Sequence, residues 1–185
     1  MSEQPPVVVT VVEALKSFAR TDLDDLCDAA EAAIAADGGF GWVRSPPRHI
    51  MENYWRGVLL VPGRQLFVAR LDGTIGGSAQ LTRPPRNNEA QSFAAQMMHN
   101  FMAPWARGHG LARRLVLAVE DAARESGYSL LNLDVRDTQS AAIQLYETLG
   151  YTRWGTHPLY ARIDGRFIPG HYYYKQLEPA AKAAP

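Results

Sequence analysis

Apolar positions recur along this chain with two different periods, and the switches between them divide it into elements. Val7 to Val12 is a β-branched run that predicts a first strand. Thr21 and Asp22 then offer an N-cap before a helical stretch from Leu23 to Ala36, which Asp37-Gly38-Gly39 ends. A segment from Phe40 to Pro47 leads into a second helix from about Arg48 to Leu60, closed by Pro62-Gly63. Gln65 to Leu71 and Thr74 to Leu81 flank Asp72-Gly73, the sequence of a tight hairpin turn, so two antiparallel strands are expected. After the loop Pro84 to Asn88, Gln91 to Met102 reads as extended. Leu111, Leu115, Val119 and Ala122 return at helical spacing, with Arg114, Glu120, Asp121 and Glu125 on the other side, so one face is expected in the core and one in water. A strand over Leu130–Val135, a helix over Thr138–Leu149 and two extended runs, Tyr151–Ile163 and Phe167–Leu177 around Asp164-Gly165, complete the chain.

This order lacks the strict strand–helix alternation of a doubly wound fold. It predicts an α/β (α+β) architecture with a mixed, mostly antiparallel central sheet flanked by helices. A parallel crossover through the 110–126 helix would bring the glycines before that helix to the end of a central strand.

The length of 185 residues and an apolar fraction of 46% suit one substantial core, so residues 1–185 are expected to form a single domain, with the core about 7–177 and a fraying tail at 178–185. Basic and acidic residues cancel at 19 each, which argues against a general nucleic-acid or anionic-membrane binder and for a small partner. The lone Cys27 falls in a helical stretch and is expected to be a buried thiol. Met-Ser-Glu-Gln-Pro-Pro at the start has no signal-peptide pattern, and no apolar run is long enough to span a bilayer, so a soluble cytoplasmic protein is expected.

The run from Phe101 to Arg114 is the most informative for chemistry. It reads as a strand entering a glycine-containing turn, Gly108-His109-Gly110, that opens into the amphipathic helix. Free N–H groups at a helix start, together with the positive end of its dipole, bind an anion, and glycines let the backbone approach closely. Arg113 and Arg114 sit in the first turn, where the dipole disfavours cations by about 0.3–1 kcal/mol each. A ligand carrying several phosphates would reverse that penalty; a plain surface arginine pair is the other reading.

Arg107-x-x-Gly110-x-Ala112 after a strand resembles the acyl-CoA signature of the GNAT superfamily of N-acetyltransferases. A second motif is similar to the same family: an Asn-x-x-Ala-x-x-x-Tyr helix ending in Gly and an aromatic, here Gln139-Ser-Ala-Ala142-Ile-Gln-Leu-Tyr146-Glu-Thr-Leu-Gly150-Tyr151, with Gln for Asn. The resemblance covers about Val8 to Leu177. It implies a GNAT fold, acetyl-CoA as cosubstrate without a metal, and transfer of the acetyl group to a primary amine of a small molecule or peptide. It also implies that Asn100, Phe101 and Met102 offer backbone groups to the pantetheine arm. By the same resemblance Gly108, His109, Gly110, Leu111, Ala112 and Arg113 hold the pyrophosphate. Arg107 would brace the turn, His109 would make a backbone contact only, and Gln139 would reach the cofactor in place of Asn. A homodimer is compatible with the family.

Such a transfer needs a neutral amine, a polarised carbonyl and a proton for the departing thiolate. Tyr146 matches the family's general acid, since a phenol stays protonated at neutral pH; a core tyrosine with a satisfied hydroxyl is the structural alternative. Asp134, on the strand face opposite the leucines, and His99, on the strand approaching the cofactor, are candidates for the base, and an exposed strand carboxylate and a satisfied strand histidine are their structural alternatives. Phe40, Trp42, Tyr54, Trp55, Trp105, Tyr160, Tyr172, Tyr173 and Tyr174 come mostly from segments that wall the acceptor cleft in this family, and most are expected in the core. Arg44, Arg48, Arg83, Arg86, Arg153 and Arg162 are candidates to recognise a carboxylate.

Other readings fit less well. Gly108-x-Gly110 followed by Asp134 has a dinucleotide flavour, but Arg113 occupies the third glycine position. There is no Gly-Lys-Ser/Thr, no Gly-x-Ser-x-Gly, and the five histidines have no ligand spacing. A non-catalytic acyl-CoA sensor or interaction domain is the alternative from another class, and retention of Tyr146 argues against it.

Overall fold

A computed structural model describes residues 8–38 and 41–178. The chain runs β1 (Thr10–Leu15), α1 (Asp22–Ala35), α2 (Arg48–Leu60), β2 (Arg64–Leu71), β3 (Thr74–Thr82), β4 (Ala94–Met102), α3 (Leu111–Glu125), β5 (Leu130–Arg136), α4 (Ser140–Thr148), β6 (Thr152–Ile163) and β7 (Arg166–Gln176), with short 3-10 turns at Glu89–Gln91 and Pro104–Ala106. Expectations resting on Val7, Gly39, Phe40, the first six residues and the tail after Glu178 lie outside the described residues.

Local chemistry accounts for the turns. Asp72 and Gly73 both take positive φ, 48° and 88°, and Asp164 and Gly165 repeat this at 46° and 81°, the twist that a two-residue hairpin loop requires. The first strand lies three residues later than the β-branched run predicts. Its span is set by pairing with β2, Thr10↔Leu71 to Leu15↔Leu66, rather than by propensity. Gln139 stands at the N-cap of α4 rather than inside the helix.

The seven strands form one mixed sheet in the order β1-β2-β3-β4-β5-β7-β6. Only β4 and β5 run parallel, joined through α3, so the glycine turn follows the middle strand as expected. Alternation along the strands feeds two cores. Leu66, Val68, Ile75 and Phe101 pack against Leu26, Ala30, Met51 and Trp55 of α1 and α2. Phe67, Ala69, Leu81 and Met97 pack against Leu111, Leu115 and Val119 of α3 and Tyr146 of α4. Cys27 is fully buried in the first of these, and burial pushes its thiol up to about 11. No helix among the described residues is long and apolar enough to cross a membrane.

Glu120 departs from its expected wet face. It is fully buried, and both its oxygens accept from Lys175 Nζ at 2.8 Å while Arg124 donates to Oε2 at 3.0 Å. Helical spacing cannot foresee a cation delivered from β7, which covers that side of α3 and supplies the pairing that a buried carboxylate needs.

Two features of β4 prepare the site. It pairs with β5 over three residues only, Ala94↔Leu130 to Gln96↔Asn132, and then the two strands diverge. Its register with β3 shifts between Ser78 and Gln80, so that His99 and Asn100 together oppose Ala79 in a bulge. His99 carries the extra residue's strain with φ of 50°, a conformation that costs a non-glycine residue about 1–3 kcal/mol. The bulge also inverts the alternation, sending Phe101 into the core under α1 and α2 while Met97 and Met102 face α3.

Candidate active site

Two chambers open where β4 and β5 part. The first, about 440 Å³, is lined by Asn100, Phe101 and Met102 of β4, by Arg107, Gly108, Gly110, Leu111 and Ala112 of the turn, and by Gln139 and Ala142 of α4. The second, about 490 Å³, is lined by His99 and Asn100, by Leu133, Asp134 and Arg136 of β5, by Tyr146 of α4 and by Tyr160 and Arg162 of β6. Asn100, Gln139 and Ala142 border both, so the two spaces meet at these residues.

The first chamber has the chemistry of an anion cradle. Gly108 and Gly110 take φ of 84° and 72°, and no side chain caps α3. The N–H groups from Gly108 to Arg113 find no backbone acceptor among the described residues. A Cβ at either glycine would stand in open space. A row of unspent donors at a helix start facing a cavity fits a pyrophosphate, so the residues present suit the nucleotide end of acetyl-CoA. Arg107 braces this turn, its Nε donating to the carbonyl of Met102 at 3.3 Å. His109 and Arg113 are exposed and outside the chamber lining, leaving their backbone N–H groups as their contribution. Arg114 is drawn away from the helix start: its Nη1 donates to the carbonyl of Thr10 at 3.1 Å and to the Thr10 hydroxyl at 2.5 Å. Gln139 donates to the carbonyl of Asp37 and so ties the start of α4 to the end of α1.

The second chamber collects the titratable groups. The Asn100 side-chain amide donates to the Tyr146 hydroxyl at 3.0 Å. Burial pushes the Tyr146 phenol up to about 12, with the Asn100 bond acting against this and the Asp134 charge adding to it. The phenol therefore keeps its proton at neutral pH. Asp134 accepts from Gln96 Nε2 at 3.2 Å and from the Tyr160 hydroxyl, so both its oxygens are engaged. Burial, followed by this bond and by the charge of Asp134, also raises the Tyr160 phenol. His99 meets the Tyr54 hydroxyl through Nδ1 at 3.2 Å. Burial and the charge of Arg64 hold its imidazole below the ordinary histidine value, against the opposing pull of Asp134.

The structure thus gathers Tyr146, Asp134 and His99 around one cavity, with Asn100 and Gln139 at its junction with the other. Gln96 is not among the expected site residues, and Tyr54 and Tyr160, expected only as aromatics of the cleft-walling segments, prove to be hydrogen-bond partners of His99 and Asp134. Tyr160 reaches Asp134 because the register of β6 on β7 is irregular between His157 and Ala161, and no local pattern announces that. Gly170 is the one signal, since the Tyr160 ring lies over it so closely that a Cβ would sit 2.1 Å from Cγ. Several expected carboxylate readers are otherwise employed. Arg48 lies among Asp24, Asp28, Glu31 and Glu52, Arg153 pairs with Glu147, and Arg44 pairs with Asp164. Arg162 alone of that set lines the chamber. Of the aromatic set, Trp55 and Tyr173 are fully buried, whereas Trp105 is 46% exposed.

Comparison with known proteins gives the family and the fold. Residues 27–151 match the Acetyltransferase (GNAT) family. An uncharacterized N-acetyltransferase from the hisH-hisA intergenic region of Azospirillum brasilense is 63% identical over 128 residues, covering 69% of this chain and 76% of that protein. The uncharacterized N-acetyltransferase YjgM of Escherichia coli is 32% identical over 126 residues, covering 66% and 69%. Among solved structures, yncA of Salmonella typhimurium with its cofactor acetyl-CoA superposes with a TM-score of 0.74 at 19% identity, covering 93% of this chain and 96% of that one. An N-acetyltransferase from Staphylococcus aureus gives 0.78 at 17% identity, covering 92% and 99%. At such identities the likeness is one of fold.

Proposed function

This chain belongs to the GNAT acetyltransferase family, and from that premise we propose that it moves an acetyl group from acetyl-CoA to a primary amine of a small molecule or peptide by direct attack. The observation that supports the proposal is the meeting of the two chambers at Asn100, Gln139 and Ala142, where the Asn100 amide donates to the Tyr146 hydroxyl of the second chamber. The turn from Gly108 to Arg113 holds the pyrophosphate, and the diverging part of β4, from Asn100 to Met102, offers backbone groups to the pantetheine arm. When bound, acetyl-CoA supplies the thioester whose C–S bond breaks as the amine forms its C–N bond to the acetyl carbon.

The chain's own groups manage the protons. Tyr146 gives its hydroxyl proton to the departing sulfur, and the base, His99 or Asp134, takes the proton that the amine nitrogen sheds. Asn100 occupies an acceptor position of the Tyr146 oxygen and so leaves that hydroxyl's proton for donation. Asp134 shares the acceptor chamber with Arg136 and Arg162, so an acceptor there meets groups of both signs.

Calorimetric titration with acetyl-CoA, with NAD and ATP as controls, tests the cofactor. Selective micromolar binding is the expected result and licenses a screen of amines for CoA release. A folded sample that binds none of the three overturns the proposal.

A further inference from the structure

We infer that the acceptor is a free amino acid, its carboxylate held by Arg162 and its amino group on the side of Asp134. The inference rests on the acetyl-transfer reading above and deepens it by naming the acceptor's class. It starts from a separated pair of charges. Asp134 and Arg162 line the same chamber. Among the described residues, neither forms an ion pair with the other or with any third group. Arg136, which lines that chamber too, is matched within the protein: its Nη2 donates to the carbonyl of Gly38 at 2.8 Å and its Nη1 lies 3.6 Å from Asp37 Oδ1. One anion and one cation are thus left facing a common space.

Each charge is held in place by groups that leave it uncancelled. Asp134 accepts from the Gln96 amide at 3.2 Å on one oxygen and from the Tyr160 hydroxyl on the other. Both donors are neutral, and each carboxylate oxygen keeps a further acceptor site. Arg162 stands opposite Phe167 in the β6–β7 register, with its guanidinium carbon 5.7 Å from the Phe167 ring centroid. A guanidinium over a ring uses its face there, and its in-plane fork of N–H donors stays available to a carboxylate. Arg166 of the same hairpin is exposed and lines neither chamber, so the placing of Arg162 is not shared by every cation nearby.

Opposite charges held apart in one cavity complement a zwitterion. A plain aliphatic amine, or the N-terminus of a peptide whose carboxylate is remote, would answer Asp134 and leave Arg162 unanswered. The chamber's 490 Å³ falls within the range of about 300–1,000 Å³ typical of small-molecule sites. The transfer step itself is unchanged: the C–N bond forms as the C–S bond breaks, the base takes the amine's proton and Tyr146 gives one to the sulfur. The product keeps its carboxylate but has lost the basic nitrogen, so it retains Arg162 and gives up Asp134, and its grip weakens once the reaction is done.

The test follows CoA release from the whole chain with the common L-amino acids as probes, each beside its carboxamide and the amine that lacks the carboxylate, and with an alanine tripeptide. At least one free amino acid is expected to react with kcat/KM about tenfold or more above its amide, its amine and the tripeptide. Arg162→Gln is expected to raise the KM of that amino acid about tenfold, leaving the KM of the amide and the amine within about twofold and acetyl-CoA affinity unchanged. Arg162→Lys, which keeps the charge and loses the fork, should fall between, and Arg166→Gln should leave every KM as in wild type. Amides or amines that react as well as the amino acids, or an Arg162→Gln variant that loses all acceptors alike, overturn the inference and keep the transfer reading. A second arm titrates the amino acids into the CoA-loaded protein by calorimetry. Binding there that Arg162→Gln weakens, without CoA release from any probe, upholds the carboxylate grip and counts against transfer. Neither binding nor release overturns both.

Discussion

Asn100 donates its side-chain amide to the Tyr146 hydroxyl across 3.0 Å, joining the bulge of the middle strand to the helix beyond it. The residue before it in the chain, His99, turns to Tyr54 on the opposite side of the sheet. One bulge thus aims two consecutive side chains at partners in opposite layers, His99 toward α2 and Asn100 toward α4.

Replacing Tyr146 by Phe removes the proposed proton donor and leaves the ring that packs between Tyr151 and Tyr173. We expect kcat to fall by about 10² or more, with acetyl-CoA affinity in calorimetry within about twofold of wild type, less than a tenfold change of about 1.4 kcal/mol. Unchanged turnover in steady-state assays would refute the role of the phenol.

Gly110→Val tests the anion cradle. Positive φ makes any side chain there cost about 1–2 kcal/mol, so a control with equal strain is needed. Gly127, at φ of 84° with open space around it, stands at the far end of α3. Gly110→Val and Gly127→Val should lower the thermal midpoint by similar amounts, and only the first should weaken acetyl-CoA binding, by tenfold or more. Equal affinities would remove the turn from the site.

Gly170→Ala should act on the acceptor without touching the cofactor. Its methyl would collide with the Tyr160 ring, which bears the hydroxyl bonded to Asp134. We expect a several-fold rise in acceptor KM, with a smaller effect from Tyr160→Phe, and no change in acetyl-CoA affinity. A wild-type KM in Gly170→Ala would mean that Tyr160 does not shape the acceptor chamber.

Lys175→Met removes a cation from the buried carboxylate of Glu120. Breaking a buried pair costs about 3–5 kcal/mol; because Arg124 remains on Oε2, we expect the lower end of that range in urea unfolding. Arg44→Ala, at an ion pair whose side chains are 87% and 74% exposed, should change stability by no more than about 0.5 kcal/mol. Equal effects would show that Glu120 does not depend on Lys175.

Local chemistry made much of this molecule readable in its residues. Asp72-Gly73 and Asp164-Gly165 announce their hairpins, and the glycines before Leu111 announce the turn into α3, because each demands a backbone that few residues adopt. What stayed hidden depends on registers between distant strands. The bulge at His99 exists because Ser78 pairs with Phe101 while Gln80 pairs with Met98, and nothing in the run from Gln96 to Met102 encodes that slip. The burial of Glu120 depends on Lys175 arriving from 55 residues away. The partners of Asp134 come from Gln96 and Tyr160, which lie 38 residues before it and 26 after it.

The three-residue ladder between β4 and β5 leaves this sheet with an edge in its interior. Elsewhere such an edge would be covered by the protein's own backbone; here the chain leaves it to whatever enters. An arm lying in the gap becomes in effect a strut between the halves β1–β4 and β5–β7, so occupancy and cohesion are read on one scale. Loading should stiffen the seam, with amide exchange slowing along Asn100–Met102 and Leu133–Arg136 on both banks, and each product release should loosen it again.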